Sequence, residues 1–273
     1  MISQKSIKQP GSVLGLWILM AILGHGSDIQ ETALAVAEQS RHTLVTVRAV
    51  INVKRSIRGQ SRDQEQKIET TGTIIDVSGL TVASAAAVDP TSMIRAMVRA
   101  NSGRTENFIE AEFKETTLIL DDGTEVESDI ILKDSDLDMI FIKPRQAFRT
   151  FQAIELKPDH VQPQLLDPIF VVGRLGEIGK REITLHLGRL QALVKGPRPF
   201  YICNADLSVN LGCVVYNSQG DPLGILLTKQ NPAAMRSSGS RLGGSNQVIL
   251  PIVRTIGDLM EIADQARQTQ SKL

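Results

Sequence analysis

The sequence predicts an all-β fold, a barrel or a sandwich, with a helix at each end. Three observations carry this. Short runs rich in β-branched residues recur along the chain. Turn-forming glycine and aspartate sit between them at close spacing. Helical periodicity is confined to the ends, with no alternation of strand and helix between them.

The elements follow in order. Asp28 to Ser40 reads as a helix with an acidic first turn. At Thr43 the period changes, and TLVTVRAVINVK to Lys54 is a strand. Arg55 to Lys67 is polar and reads as a solvated loop, and Gly72 to Ser84 is a hairpin turning at Ser78-Gly79. Pro90 to Glu115 is less regular, with Met93, Ile94, Met97 and Val98 spaced to face a core from a short helix. Thr117 to Leu132 is a second hairpin turning at Asp122-Gly123, and Leu137 to Lys143 is a further strand. Two more strands run over Pro168 to Gly173 and Ile183 to Lys195. Short ones follow at Tyr201–Asn204, Cys213–Tyr216, Leu223–Thr228 and Val248–Ile252. Gln230 to Asn246 is a flexible loop by composition. Val253 to Arg267 closes the chain as an amphipathic helix.

At 273 residues, the chain can build one large all-β domain or two small ones. Thirty basic and thirty acidic side chains cancel, and aromatic residues are scarce, which argues against nucleic acid as a partner. Two cysteines and four scattered histidines fit no metal spacing, and no cofactor motif is present. Lys5 and Lys8 precede an apolar run from Val13 to Gly24, followed by small residues, the pattern of a secretory signal peptide. Residues 1–27 are therefore expected to export the protein to the periplasm or cell envelope. They are either cleaved or kept, with residues 13–24 as a membrane anchor.

Several segments resemble, in the right order, the protease domain of the HtrA/Deg family of trypsin-like serine proteases. Gly72–Val88 (GTIIDVSGLTVASAAAV) is similar to the strands that end at the family's catalytic histidine, and Asp134–Lys143 (DSDLDMIFIK) to the segment with its aspartate. Val171–Leu193 resembles the hairpin before the nucleophile loop, Val209–Ile225 (VNLGCVVYNSQGDPLGI) that loop, and Gln247–Ile262 the last strand and helix. The resemblance runs from about residue 35 to 268. It implies a trypsin fold over residues 28–273: two six-stranded β-barrels, divided at about 145–165, with short flanking helices. It also implies a member without a PDZ domain, because the closing helix is followed only by a few residues to Leu273.

The family's chemistry needs a hydroxyl, a histidine to take its proton, a carboxylate to orient the histidine, and backbone donors for the oxyanion. The resemblance places Ala86 at the histidine position, Asp138 at the aspartate and Leu211 at the serine. The oxyanion loop is represented by Val209, Leu211 and Gly212, with β-branched Val209 where the family has glycine. No catalytic group survives except Asp138, which is expected to be a buried acceptor of hydrogen bonds. Ser84 and Ser208 lie nearby in sequence but on no nucleophile turn, and His42, His160 and His186 have no catalytic counterpart. Cys203 and Cys213 flank the degenerate loop, and two readings stand: a disulfide in an oxidising compartment, or two buried thiols.

The expected function is therefore that of an inactive protease homologue, a binding, scaffold or regulatory protein in the cell envelope. Its partners would be a protein or an extended peptide added to a strand edge. It would assemble as a homotrimer, as the family does, or with an active relative, and meet the membrane only through its N-terminal segment. The alternatives are an active serine endopeptidase with a non-standard site and a structural subunit of a larger envelope complex.

Overall fold

The computed structural model describes residues 28–57, 60–91, 108–146, 150–157, 162–204, 210–230 and 249–270. The N-terminal segment 1–27, Met93 to Val98, His160, Ser208, Val209 and most of the Gln230–Asn246 loop lie outside them. Among the described residues no helix is long and apolar enough to cross a membrane.

Residues 28–40 form helix α1. Strands β1 (Leu44–Ile57), β2 (Gln60–Ile74), β3 (Thr81–Ser84), β4 (Phe108–Ile119), β5 (Glu125–Asp134) and β6 (Met139–Pro144) follow, with one helical turn, α2 (Ala85–Val88), after β3. They close an antiparallel barrel in the order β1-β2-β3-β6-β5-β4. Strands β7 (Pro168–Arg174), β8 (Ile183–Val194), β9 (Phe200–Cys203), β10 (Val214–Asn217), β11 (Pro222–Gln230) and β12 (Ile249–Thr255) close a second, in the order β10-β11-β12-β9-β8-β7, and helix α3 (Ile256–Gln270) ends the chain. This is the expected architecture, two six-stranded β-barrels in the trypsin-like arrangement with short terminal helices.

The period-2 pattern explains the first barrel. Val45, Val47, Ala49, Ile51 and Val53 of β1 all point inward and pack with Leu118, Val126, Ile140 and Ile142. Ile169, Val171, Leu190, Val215 and Leu226 fill the second. Each terminal helix packs outside the barrel remote from it in sequence. Ala33 and Val36 of α1 lie on Phe170, Val172 and Val214 of the second barrel. Ile256, Leu259, Ile262, Ala263 and Ala266 of α3 form a stripe against Val82, Met139 and Phe141 of the first. The helices thus cross over and clamp the barrels together.

Three expectations are corrected. Of the polar stretch Arg55–Lys67, expected as a loop, residues 55–57 are the end of β1 and residues 60–67 the start of β2, paired in register from Leu44↔Thr73 to Ile57↔Gln60. Residues 61–65 and Lys67 are exposed and polar, so no apolar alternation reveals the strand. Within Pro90–Glu115, residues from Phe108 onward belong to β4, which pairs with β1 along its length. Val253 to Thr255 belong to β12 rather than to the closing helix, because Val253 pairs with both Leu226 and Tyr201.

Glu69 ties the barrels electrostatically. It accepts from Arg48 Nε at 3.1 Å within the first barrel and from Arg181 Nη2 at 3.0 and 3.1 Å across from the second. Burial alone would push its carboxyl up, but the hydrogen bonds and charges of the two arginines outweigh it and hold the carboxyl below its ordinary value. A folded-state value below the unfolded one stabilises above the ordinary glutamate range and is lost as pH falls through it. Glu69→Gln is expected to cost about 1 kcal/mol at pH 7, since the site is partly open to solvent. Urea titrations should show the two proteins converging once the pH falls below about 4; a gap of unchanged size in acid would rule out the charge as its source.

Candidate functional site

The seam between the barrels is built around Asp138. It sits in the turn before β6 with φ of 60°, a left-handed conformation that aspartate tolerates better than most residues. Its carboxylate is buried and takes hydrogen bonds on both oxygens. Oδ1 accepts from Ala86 N at 2.7 Å and lies 3.1 Å from Ser84 Oγ. Oδ2 lies 2.9 Å from the same Oγ and accepts from Thr228 N and Thr228 Oγ1, each at 2.7 Å. Burial pushes the Asp138 carboxyl up from its ordinary value, and the hydrogen bonds from Thr228, Ala86 and Ser84 pull against it. The donors come from both barrels: Ser84 and Ala86 from β3 and α2, and Thr228 from β11.

The loop at Gly212 closes onto this constellation. Gly212 has φ of +84°, donates its N–H to Leu226 O at 2.8 Å, and its O accepts from Thr73 Oγ1 at 2.9 Å. A Cβ placed on it would lie 2.5 Å from Thr71 O and 3.3 Å from Ser84 N. The loop backbone is thus pressed against β2 and β3. Nearby, the buried Arg174 guanidinium donates to Arg41 O at 2.8 Å, Leu44 O at 3.1 Å and Arg181 O at 3.0 Å. Burial pulls its pKa down, and three carbonyls take the place of a carboxylate partner.

Ala86 is hydrogen-bonded to Asp138, and Leu211 precedes the glycine that abuts Ser84. Val209 lies outside the described residues. Ala86 presents a methyl group and half-buried Leu211 an alkyl chain, neither of which can move a proton or attack a carbonyl. Ser84 is fully buried; its hydroxyl donates to Asp138 and accepts from Ala87 N at 3.2 Å as the cap of α2.

The disulfide reading is corrected: Cys203 and Cys213 form no disulfide and lie as buried thiols in the second-barrel core. Both point into one apolar cluster, and burial pushes the Cys213 thiol up to about 12, so it carries no thiolate reactivity. His186 Nε2 meets Asn204 O at 2.7 Å on the second barrel, and His42 pairs with Asp121 away from Asp138. Among the described residues no group of His, Cys, Asp and Glu could hold a metal ion.

Sequence reasoning missed Thr228, the residue that joins the second barrel to Asp138. It lies 90 residues along the chain from the carboxylate, inside an apolar strand where nothing signals a site. Neither a family model nor a characterised protein sequence matches the chain.

Proposed function

We propose that this chain is a catalytically inactive protease-fold protein of HtrA/Deg type, acting as a binding, scaffold or regulatory protein in the cell envelope. One observation carries the reading. The seam keeps a fully hydrogen-bonded aspartate where a triad would have one, while the base and nucleophile positions hold Ala86 and Leu211. Without a base and a hydroxyl, acyl transfer by this route has no first step.

The partner that fits is an extended peptide. Past Leu226, strand β11 pairs only with β12 among the described residues, from Leu227↔Ile252 to Gln230↔Ile249; Asp138 already takes the Thr228 N–H on the other edge, so an added strand would pair beyond it, toward Gln230. Export by residues 1–27, and assembly as a homotrimer or with an active relative, complete the proposal.

Purified protein treated with a fluorophosphonate probe and with unfolded casein is expected to show neither labelling nor cleavage. Stoichiometric labelling of any serine would overturn the reading.

A further inference from the structure

We infer a second peptide-binding site, independent of the seam, in a fork between β4 and β5 of the first barrel. The two strands pair from Ile119↔Glu125 to Thr116↔Ser128 and then part. Beyond that point β4 pairs only with β1, and β5 only with β6, among the described residues. The facing edges of both strands are left without a ladder partner over Phe113–Glu115 and Asp129–Ile131.

Two features hold the fork open. Both strands bulge at the split: Lys114 has no partner in the β1 register and Ile131 none in the β6 register. A bulge bends its strand and ends regular pairing. The next pair in the β4–β5 ladder would set Glu115 opposite Asp129, and like charges directly opposed disfavour closure. Asp129 is neutralised by Arg145 at 2.9 Å, whereas Glu115 has no ionic partner among the described residues.

The result is a groove of about 880 Å³, with Phe113, Ile130 and Ile131 as apolar wall and Thr116 and Ser128 at its closed end; Lys114, Lys133 and Arg145 also line it, each already paired, with Glu112, Asp89 and Asp129. No residue of the Asp138 constellation lines it. Among the described residues β2 also has an open edge from Arg62 to Glu69, but it presents Arg62, Asp63, Glu65, Lys67 and Glu69, the charged dressing that blunts an edge against pairing. The fork combines open backbone donors and acceptors with an apolar wall and one unpaired carboxylate. That chemistry selects an extended peptide that pairs with the β4 edge, sets alternate apolar side chains on the wall, and brings a lysine or arginine to Glu115.

A displayed library of random peptides of about eight residues, one strand length, selected on the purified protein, tests this. Selected peptides are expected to alternate apolar residues and to include a basic one. On binding they should slow amide exchange at residues 113–115 and 129–131. Methylating alternate peptide nitrogens should weaken binding about tenfold or more by removing ladder hydrogen bonds. Glu115→Lys, which would set opposite charges across the fork, should weaken it similarly and protect the Asp129–Ile131 amides in the free protein. Enrichment of no peptide, protection confined to residues 228–230, or equal affinity of the methylated peptides would overturn the site. None of these outcomes bears on whether the seam is catalytic, which the probe and casein assays decide.

Discussion

Replacement of Asp138 by asparagine is expected to destabilise the fold by about 2–4 kcal/mol in urea unfolding at neutral pH. The change keeps the shape of the side chain, so the effect reports its hydrogen bonding and charge rather than its packing. Two of the donors are backbone N–H groups, Ala86 on Oδ1 and Thr228 on Oδ2, and neither can reverse its role. Only a carboxylate offers an acceptor to each. An asparagine must turn its NH2 toward one of them, leaving a buried donor facing a donor. Asp138 is the group that Ser84 and Ala86 of the first barrel share with Thr228 of the second, so the damage falls on the seam either way. Thr228→Val should reproduce part of the loss, about 1 kcal/mol, because it deletes the hydroxyl and keeps the N–H. An asparagine variant as stable as the parent would mean that the carboxylate is not the clasp between barrels.

Gly212→Ala is expected to cost a similar amount, about 2–4 kcal/mol, through two separate effects. The positive φ of this residue disfavours any side chain. The added methyl would also lie 2.5 Å from a backbone oxygen, Thr71 O, which cannot rotate away. The loop must then lift from β2 and β3, breaking the bond from Thr73 Oγ1 to Gly212 O. Amide exchange should therefore rise at Gly212, whose N–H bonds Leu226 O, while the interior of the first barrel stays protected. A variant with unchanged stability and exchange would show that the loop is not tightly seated.

Much of the fold was legible because burial writes itself into a strand as period 2. β1, β3, β6, β7 and β11 all line a core, and each is evident from β-branched or apolar runs with a turn residue beside it. The strands that escaped, β2 before Thr70 and β4 before Thr116, carry charges on their open faces and owe their conformation to pairing with β1. A ladder partner is not visible in local sequence. The end of β12 reads as helix in sequence because Val253 and Ile256 suit either period, and the register with β11 decides between them.

The site divides in the same way. The resemblance read from the sequence alone implied its chemistry: it aligned Ala86 and Leu211, which can act as neither base nor nucleophile, with the positions flanking Asp138. It also implied two barrels through segments in family order. The tertiary structure alone decided how Asp138 is held, because Ser84, Ala86 and Thr228 converge on it from three elements and two barrels. It decided too that Cys203 and Cys213 stay apart as thiols, and that β4 and β5 part at Glu115 and Asp129. These features depend on distance and register between residues far apart in the chain, and residue order specifies neither until the barrels have closed.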